Sequence, residues 1–291
     1  MELVAVVLNW NGGDDTLAAL ASLAGVDTIC VDNGSTDGSD ARVEQELPDV
    51  ELIRTGVNLG FAGGNNAGLR AALARGADWV LLLNNDAVSE PGLREALERA
   101  ATERPDAGIL ACKILLEDGV TLQYAGASFN ARLGYSGRVD GHGLLDRDSS
   151  FAFRDVGRAD GAALVISRAA LDAVGFLDET LFMYVEDVEL SLRVRRAGFA
   201  IVFVPDARVR HKGSTASGGT ASTTNLFYSA RNTILVSERH APLPPGLTAL
   251  RRGVVVGAHL LQSLAHPARR AAGRAVIEGW RAARAGRSGP R

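Results

Sequence analysis

The feature that most limits what this chain can become is the rhythm of its N-terminal half. Short, continuous apolar runs alternate with amphipathic stretches. "LVAVVLNW" (3–10), "DTICVD" (27–32), "VELIRT" (50–55), "DWVLLLNND" (78–86) and "AGILACKIL" (107–115) read as strands. Between them "DDTLAALASLA" (14–24), "STDGSDARVEQEL" (35–47), "NNAGLRAALARGA" (65–77) and "EPGLREALERAATER" (90–104) read as helices, the last with Pro91 near its start. A strand that is apolar along its whole length has no face to give to water. Such strands separated by helices predict an α/β fold with a mostly parallel central sheet and helices flanking it. In such sheets ligands bind beyond the carboxyl ends of the strands.

The second half is less regular. From about 120 to 156 glycine, tyrosine and serine are frequent, and a hairpin-rich insertion is expected, placed as a flap on the acceptor side of a site. "AIVFVP" (200–205) reads as a strand and "RHKGST" (210–215) as a loop after it. A helix is expected over 222–240. Pro242, Pro244 and Pro245 break it, and two Arg-flanked helices follow over 246–286. This divides the chain into a main domain, 1–240, and an Arg-rich helical C-terminal extension, 241–291.

Bulk properties narrow the function classes. With 291 residues, 46% of them hydrophobic, the chain can bury a sizeable core. A net charge of −3 gives no reason to expect a nucleic-acid partner. Cys30 and Cys112 sit in apolar runs with no metal-ligand spacing, so buried reduced thiols are expected. No signal peptide and no run long enough to span a bilayer is recognised, so a cytoplasmic location is expected. From Ala241 onward there are nine arginines and one acid, Glu278. That imbalance suits peripheral contact with an anionic membrane face, a solvated tail, or contact between copies of the chain.

Chemistry-bearing residues follow the strand ends: "NWNGGDD", "DNGSTDGS", "NLGFAGGNN" and "NNDAVSEPG". One polar turn is ordinary, but four would gather at the binding edge of the sheet. There is no G-x-G-x-x-G and no Walker A motif. Asp32, at the end of its strand, can accept from a base N–H or from ribose hydroxyls, or it can organise the following turn. Asn65 or Asn66 can cap the helix after the Gly-rich loop. Asp86, just past a buried strand, is suited to hold a hard cation beside a diphosphate. His211 is a candidate second ligand. Arg231 adds charge either near phosphates or to the surface.

The segment "LFMYVEDVELSLRVRRAGF" (181–199) carries Glu186, Asp187 and Glu189 at the start of a helix. At about 100° per residue Glu186, Glu189, Arg193 and Arg196 form one band, and Glu189 and Arg193 make a favourable i,i+4 pair. As a surface pair it is worth a few tenths of a kcal/mol, on the order of 0.2–0.5. Asp187 lies away from that band with no basic residue three or four positions on. It is the acid that helix solvation explains least.

Six of these motifs, "VVLNWNG", "VDNGSTDGS", "NLGFAGGNN", "LLLNNDA", the segment from Gly161 to Phe199 and "VRHKGST", occur in the order seen in family 2 glycosyltransferases. The chain resembles that family over about residues 3–235, and its rhamnosyltransferase-like subgroup most. The resemblance implies a GT-A fold, inversion at the anomeric carbon, Mg²⁺ or Mn²⁺, and a nucleotide-diphosphate sugar donor. dTDP-rhamnose is favoured, with UDP- or GDP-sugars as alternatives, and the acceptor is a glycan or a lipid-linked sugar. By resemblance Leu8, Asn9, Trp10, Asp32 and Asn33 line the nucleoside pocket, and Asn58, Gly63, Asn84 and Asn85 lie near the donor. Asp86 and His211 are the metal ligands, Asp187 is the general base, and Glu186 and Phe61 face the acceptor. Asn33 stands where many members have Asp, and Asn84–Asn85–Asp86 is less acidic than a full D-x-D element. A sugar-1-phosphate nucleotidyltransferase and a non-catalytic sugar-nucleotide-binding module are the competing readings. The first usually needs a lysine for triphosphate, and only Lys113 and Lys212 exist.

Overall fold

The computed structural model describes residues 1–136, 139–213 and 222–291. The strands are β1 (Leu3–Asn9), β2 (Asp27–Asp32), β3 (Glu51–Arg54), β4 (Trp79–Asn84), β5 (Ala87–Ser89), β6 (Ala107–Leu116), β7 (Leu122–Tyr124), β8 (Phe129–Asn130), β9 (Tyr135–Ser136), β10 (Arg154–Asp155), β11 (Ala163–Ser167) and β12 (Ala200–His211). The helices are α1 (Gly13–Ala21), α2 (Ser39–Glu46), α3 (Gly60–Ala74), α4 (Leu93–Glu103), α5 (Arg168–Val174), α6 (Glu186–Arg196), α7 (Thr223–His240), α8 (Pro245–Ser263) and α9 (Arg269–Arg284). The main sheet runs β10-β12-β6-β11-β4-β1-β2-β3, with β5 on β12 and β7 on β6. β3, β2, β1 and β4 are mutually parallel, as are β6 and β12, while β11 runs antiparallel between β6 and β4. Every residue of β1 and β11 is buried, as their apolar sequences require.

Register sets the functional edge. Asn9 pairs with Asp32, and Leu8 with Asn84, so the polar residues that end three parallel strands stand level. The expected strand at 200–205 does not stop at Pro205. Proline lacks an N–H, so the ladder with β6 breaks between Val204 and Arg208 and then resumes to His211. His211 is therefore the buried last residue of a strand rather than an exposed loop residue, and it faces Ala87 of β5. Ser214 and Thr215 of the same motif lie outside the described residues, as do Gly137 and Arg138 of the expected insertion.

α3 begins at Gly60, not at residue 65, and Asn65 and Asn66 are buried inside it rather than capping it. Glycines within this helix serve packing. A Cβ on Gly68 would stand 2.3 Å from Val6 Cγ1, so the bare backbone lets α3 lie close on the sheet. Asn66 instead pins the 177–179 segment, donating to Leu177 O at 2.9 Å and accepting from Leu177 N at 3.0 Å.

Helices α7, α8 and α9 share a core of their own. Leu226 and Ala230 meet Ala272 and Val276, and Ile234 meets Val255 and Ala283. Arg231 lies in this layer, 1% exposed, donating to Leu181 O and Gly289 O. It is neither a surface residue nor a wall residue of the cavity described below. Both cysteines are buried and free, and burial pushes each thiol up to about 12, which leaves them inert at neutral pH.

The Glu189–Arg193 pair forms at 2.7 Å, but Glu189 is only 2% exposed and also meets His240 Nε2 at 3.0 Å. Burial works to raise the pKa of this carboxyl. The His240 hydrogen bond and Arg193 outweigh burial and hold it below the usual range. A group depressed in this way stabilises the fold above its unfolded pKa, and that contribution is lost as pH falls through the folded value. Glu189→Gln is therefore expected to cost about 2 kcal/mol near neutral pH rather than a few tenths. The deficit should shrink toward acid pH, as read by urea denaturation across a pH series.

Candidate functional site

A cavity of about 320 Å³ opens at the carboxyl edge of the parallel strands. Its wall includes Leu8, Trp10, Asn33, Asn58, Phe61, Asn84, Asn85, Asp86, Glu186, Asp187 and His211, so most of the expected site residues come together. Asn9, Asp32 and Gly63 stand behind that wall. The Asn9 amide donates to Asp32 Oδ1 at 3.0 Å and Ser39 Oγ at 2.8 Å, and its oxygen accepts from Thr16 Oγ1 at 2.7 Å. Its hydrogen-bonding capacity is used in tying β1, β2 and α2 together. Asp32 also accepts from Ser35 N at 3.2 Å, which organises the turn. Gly63 is buried in α3 against Leu59.

Asn33 holds the rim. Its amide donates to Gly60 O at 3.0 Å and Asn58 Oδ1 at 3.2 Å, and its oxygen accepts from Leu59 N at 3.0 Å. A carboxylate here would set negative oxygen against two acceptors, which gives a local reason for Asn in this position. Gly60 has φ +76°, and a Cβ there would lie 2.4 Å from Phe182 O. The nucleotide-side loop and the 181–185 loop are thus in direct contact.

Asp86 and His211 face each other with Oδ1 and Nε2 3.1 Å apart, both nearly buried. The register of β5 on β12 brings them together, and Lys212 N donates to Asp86 O at 3.1 Å. Gln123 of β7, which no motif singled out, places Oε1 3.0 Å from His211 Nδ1, and Asn84 Nδ2 lies 3.4 Å from Nε2. Gln123 Oε1 as acceptor and Asn84 Nδ2 as donor suit the tautomer with its proton on Nδ1, which turns the Nε2 lone pair toward Asp86. A lone pair and a carboxylate oxygen at that distance repel unless a proton or a cation lies between them. One carboxylate and one oriented imidazole fit a divalent cation whose other positions are filled from outside the protein. Among the described residues no cluster of three or more His, Cys, Asp or Glu could hold a metal by itself.

Opposite stands the acid pair at the start of α6. Asp187 accepts from Gly161 N at 3.1 Å and Val188 N at 2.8 Å, with Arg158 Nη1 at 3.7 Å. Arg158 and Asp160 were also not foreseen; they come from the loop before β11. Burial raises the Asp187 carboxyl above its ordinary range, with Arg158 opposing and Asp160 adding. Burial, and next the Asp187 charge, raises Glu186 too, and its Oε2 has no hydrogen-bond partner among the described residues. A carboxyl so placed favours its neutral form.

The backbone ahead of this pair is strained. Phe182, Tyr184 and Val185 have φ of 66°, 63° and 73°. Phe182, with ψ −63° and a Met183 N to Leu181 O bond of 2.8 Å, forms a γ-turn of the rare kind. A β-branched residue at positive φ is also unusual. Asn232 of α7, wholly buried, holds the turn by donating to Leu181 O, Met183 O and Tyr184 O at 2.9, 2.8 and 2.7 Å.

Comparison with known proteins agrees with this geometry. The profile of the family described as Glycosyltransferase like family 2 matches residues 5–232. The chain belongs to glycosyltransferase family 2. It is 32% identical to an N-acetylglucosaminyl-diphospho-decaprenol L-rhamnosyltransferase of Mycobacterium tuberculosis, over 90% of this chain and 95% of that one. Among solved structures it resembles GalNAc-T7 with UDP, GalNAc and Mn²⁺ (TM-score 0.62, 15% identity, 87% of this chain and 54% of that one). It also resembles the mannosyltransferase PcManGT of Pyrobaculum calidifontis with GDP-Man and Mn²⁺ (TM-score 0.54, 16% identity, 98% and 75%). The fold is GT-A. In this family 2 glycosyltransferase both lysines are engaged, Lys113 with Asp146 at 2.9 Å and Lys212 with Asp15.

The clamp on the 181–185 loop has a measurable consequence. Asn232→Ala is expected to lower stability by about 1–3 kcal/mol, because Met183 O and Tyr184 O lose the Asn232 donor while Leu181 O keeps Arg231 and Met183 N. Guanidinium unfolding of both proteins measures this difference.

Proposed function

We propose that this glycosyltransferase moves a deoxyhexose, rhamnose favoured, from a nucleotide-diphosphate donor to a hydroxyl of a lipid-linked or glycan acceptor, with inversion. The observation that carries the reading is a single cavity walled on one side by the Asp86–His211 pair and on the other by an oriented carboxylate, Asp187. Leu8, Trp10, Asn33 and Asn58 would receive the nucleoside. Asp86 and His211 would hold Mg²⁺ or Mn²⁺ against the diphosphate. Two solved structures that share the fold, GalNAc-T7 with UDP, GalNAc and Mn²⁺ and PcManGT with GDP-Man and Mn²⁺, support this assignment. The cation's contribution when bound is Lewis-acid stabilisation of the departing diphosphate. The donor sugar and lipid-linked acceptor rest on the mycobacterial relative, whose name carries both.

The chain's own residues then divide the work. Asp187 accepts the proton of the acceptor hydroxyl as that oxygen bonds to the anomeric carbon, and the bond from that carbon to the diphosphate oxygen breaks on the opposite face. The Gly161 and Val188 amides hold the carboxylate in line, and a base positioned in this way contributes about 10²–10⁴ in rate. Glu186, kept neutral by burial, donates a hydrogen bond to the acceptor side, where Phe61 supplies an apolar wall.

Incubation with dTDP-rhamnose, Mn²⁺ and a diphosphate-linked N-acetylglucosaminyl lipid should release free nucleoside diphosphate. Release of pyrophosphate would indicate nucleotidyl transfer instead, and unchanged nucleotide would indicate a binding module. Asp187→Asn should lower kcat by about 10²–10⁴ with nucleotide binding retained. In the wild type the base must be ionised, and its pKa is raised. The acidic limb of kcat/KM should therefore lie above the ordinary aspartate range, and a profile flat through that range would remove Asp187 from the role. Gln123→Leu should weaken Mn²⁺ binding by about 10–100-fold, read by titration calorimetry, because the imidazole loses its orienting partner.

A further inference from the structure

Helix α8 turns one face to α7 and α9 and the other to solvent. The inner face carries the buried residues Arg251, Val255 and Ser263. The outer face carries Leu247 (53% exposed), Leu250 (65%), Val254 (53%) and Leu261 (70%), and Leu264 (55%) just past its end extends the row. At about 100° per residue these five fall within an arc of roughly 100°. Gly257 lies inside the arc, and no charged residue interrupts it. A surface helix ordinarily presents charge on its solvent side, and a continuous exposed apolar strip marks an interaction surface.

The charge around the strip selects the partner. The segment from Ala241 to Arg291 holds nine arginines and one acid, Glu278, which pairs with Arg291. Arg269 and Arg270 follow the strip directly at the start of α9. With Arg274, Arg281 and Arg287 they are exposed and have no carboxylate partner among the described residues. A symmetric dimer through this face would set one arginine-rich segment against its own copy, which like-charge repulsion opposes. No helix among the described residues is long and apolar enough to cross a membrane, so the strip suits lying in an interface rather than spanning it.

We infer that α8, flanked by the arginines of α9, is a docking surface for an anionic lipid bilayer, with α8 in the plane of the headgroups and its leucines directed into the acyl boundary. The outer residues touch no part of the catalytic cavity, so this surface can be tested without donor, metal or acceptor. It therefore stands or falls apart from the proposed reaction. The layer that carries it also reaches the cavity, because Asn225 of α7 is part of the cavity wall.

The test is flotation of the full-length protein with vesicles of phosphatidylcholine alone or mixed with phosphatidylglycerol. The wild type should float with the anionic vesicles and release as salt is raised. Leu250→Glu/Leu261→Glu should lower the bound fraction at least about tenfold, with an unchanged thermal midpoint because both side chains are exposed. Arg269→Gln/Arg270→Gln/Arg274→Gln should weaken anionic binding and leave the strip intact, and it serves as the second variant if the leucine variant is unstable. Three results would each overturn the inference. One is a wild type that stays at the bottom with anionic vesicles. Another is variants that float as the wild type does. The last is a wild-type dimer in sedimentation that ignores vesicles and that the leucine variant splits, which would assign the face to a second copy.

Discussion

The three hydrogen bonds from Asn232 to the 181–184 backbone are the contact on which the acid half of the site depends. Three departures from ordinary backbone within four residues, at Phe182, Tyr184 and Val185, cost of order 1–3 kcal/mol each. They persist only because the surroundings over-determine them. Asn232 and Arg231 satisfy carbonyls that a buried turn would otherwise leave bare, and Phe182 stacks on Tyr228 with ring centroids 5.5 Å apart. The turn in its place aims the first residues of α6, Glu186 and Asp187, into the cavity. α7 is therefore part of the site's foundation although only Asn225 reaches the wall. The apolar residues of α7 are covered in turn by α8 and α9.

The two halves of the site are built by different physics. On the nucleotide side, parallel register does the work. Strands of equal reach end level, and short amides such as Asn9 and Asn33 tie the turns that follow. On the other side, a strand must cross a proline to carry His211 to Asp86, and a separate strand must supply Gln123 to orient the ring. The nucleotide side meets the loop before the acid pair by close backbone packing at Gly60 and Phe182, where a single methyl group would not fit.

These differences explain what could be read from sequence. The alternation of apolar runs and helices gave the order of β1 to β4 and β6, because local pattern and burial coincide there. The polar strand ends were legible for the same reason. The position of His211 was not, because Pro205 ends a strand by local rules and only the partner β6 shows that pairing resumes. The start of α3 was missed because glycine disfavours helices in isolation, whereas here it lets the helix approach β1. The helical wheel paired Glu189 with Arg193 correctly but carries no information on depth, so the burial of that pair and its contact with His240 stayed hidden. Gln123, Arg158 and Asn232 belong to no motif. Each acts through a neighbour distant in sequence, at 88, 29 and about 50 positions.

The same reasoning bears on the arginines. Read along the sequence, those of the last helices form one basic tail, but they divide by environment. Arg231 and Arg251 are buried and donate to backbone carbonyls, Arg231 also to Asn232 Oδ1, and burial lowers the pKa of each. Arg252 is held by Glu238. Arg269, Arg270, Arg274 and Arg281 of α9 are exposed and have no carboxylate partner among the described residues. A charge buried against carbonyls stabilises one geometry and is of little use for attraction at a distance, whereas an exposed, unpaired one contributes little to the fold and much to the field outside it. The three-helix layer therefore has an inner face that fixes the turn before Asp187 and an outer face whose charge and apolar strip are not consumed by folding. Between the outer face and the turn before the acid pair the helices share packed cores, in which Phe227 and Tyr228 of α7 meet Ala275 and Ala282 of α9 and the side chains of Phe182, Met183 and Tyr184.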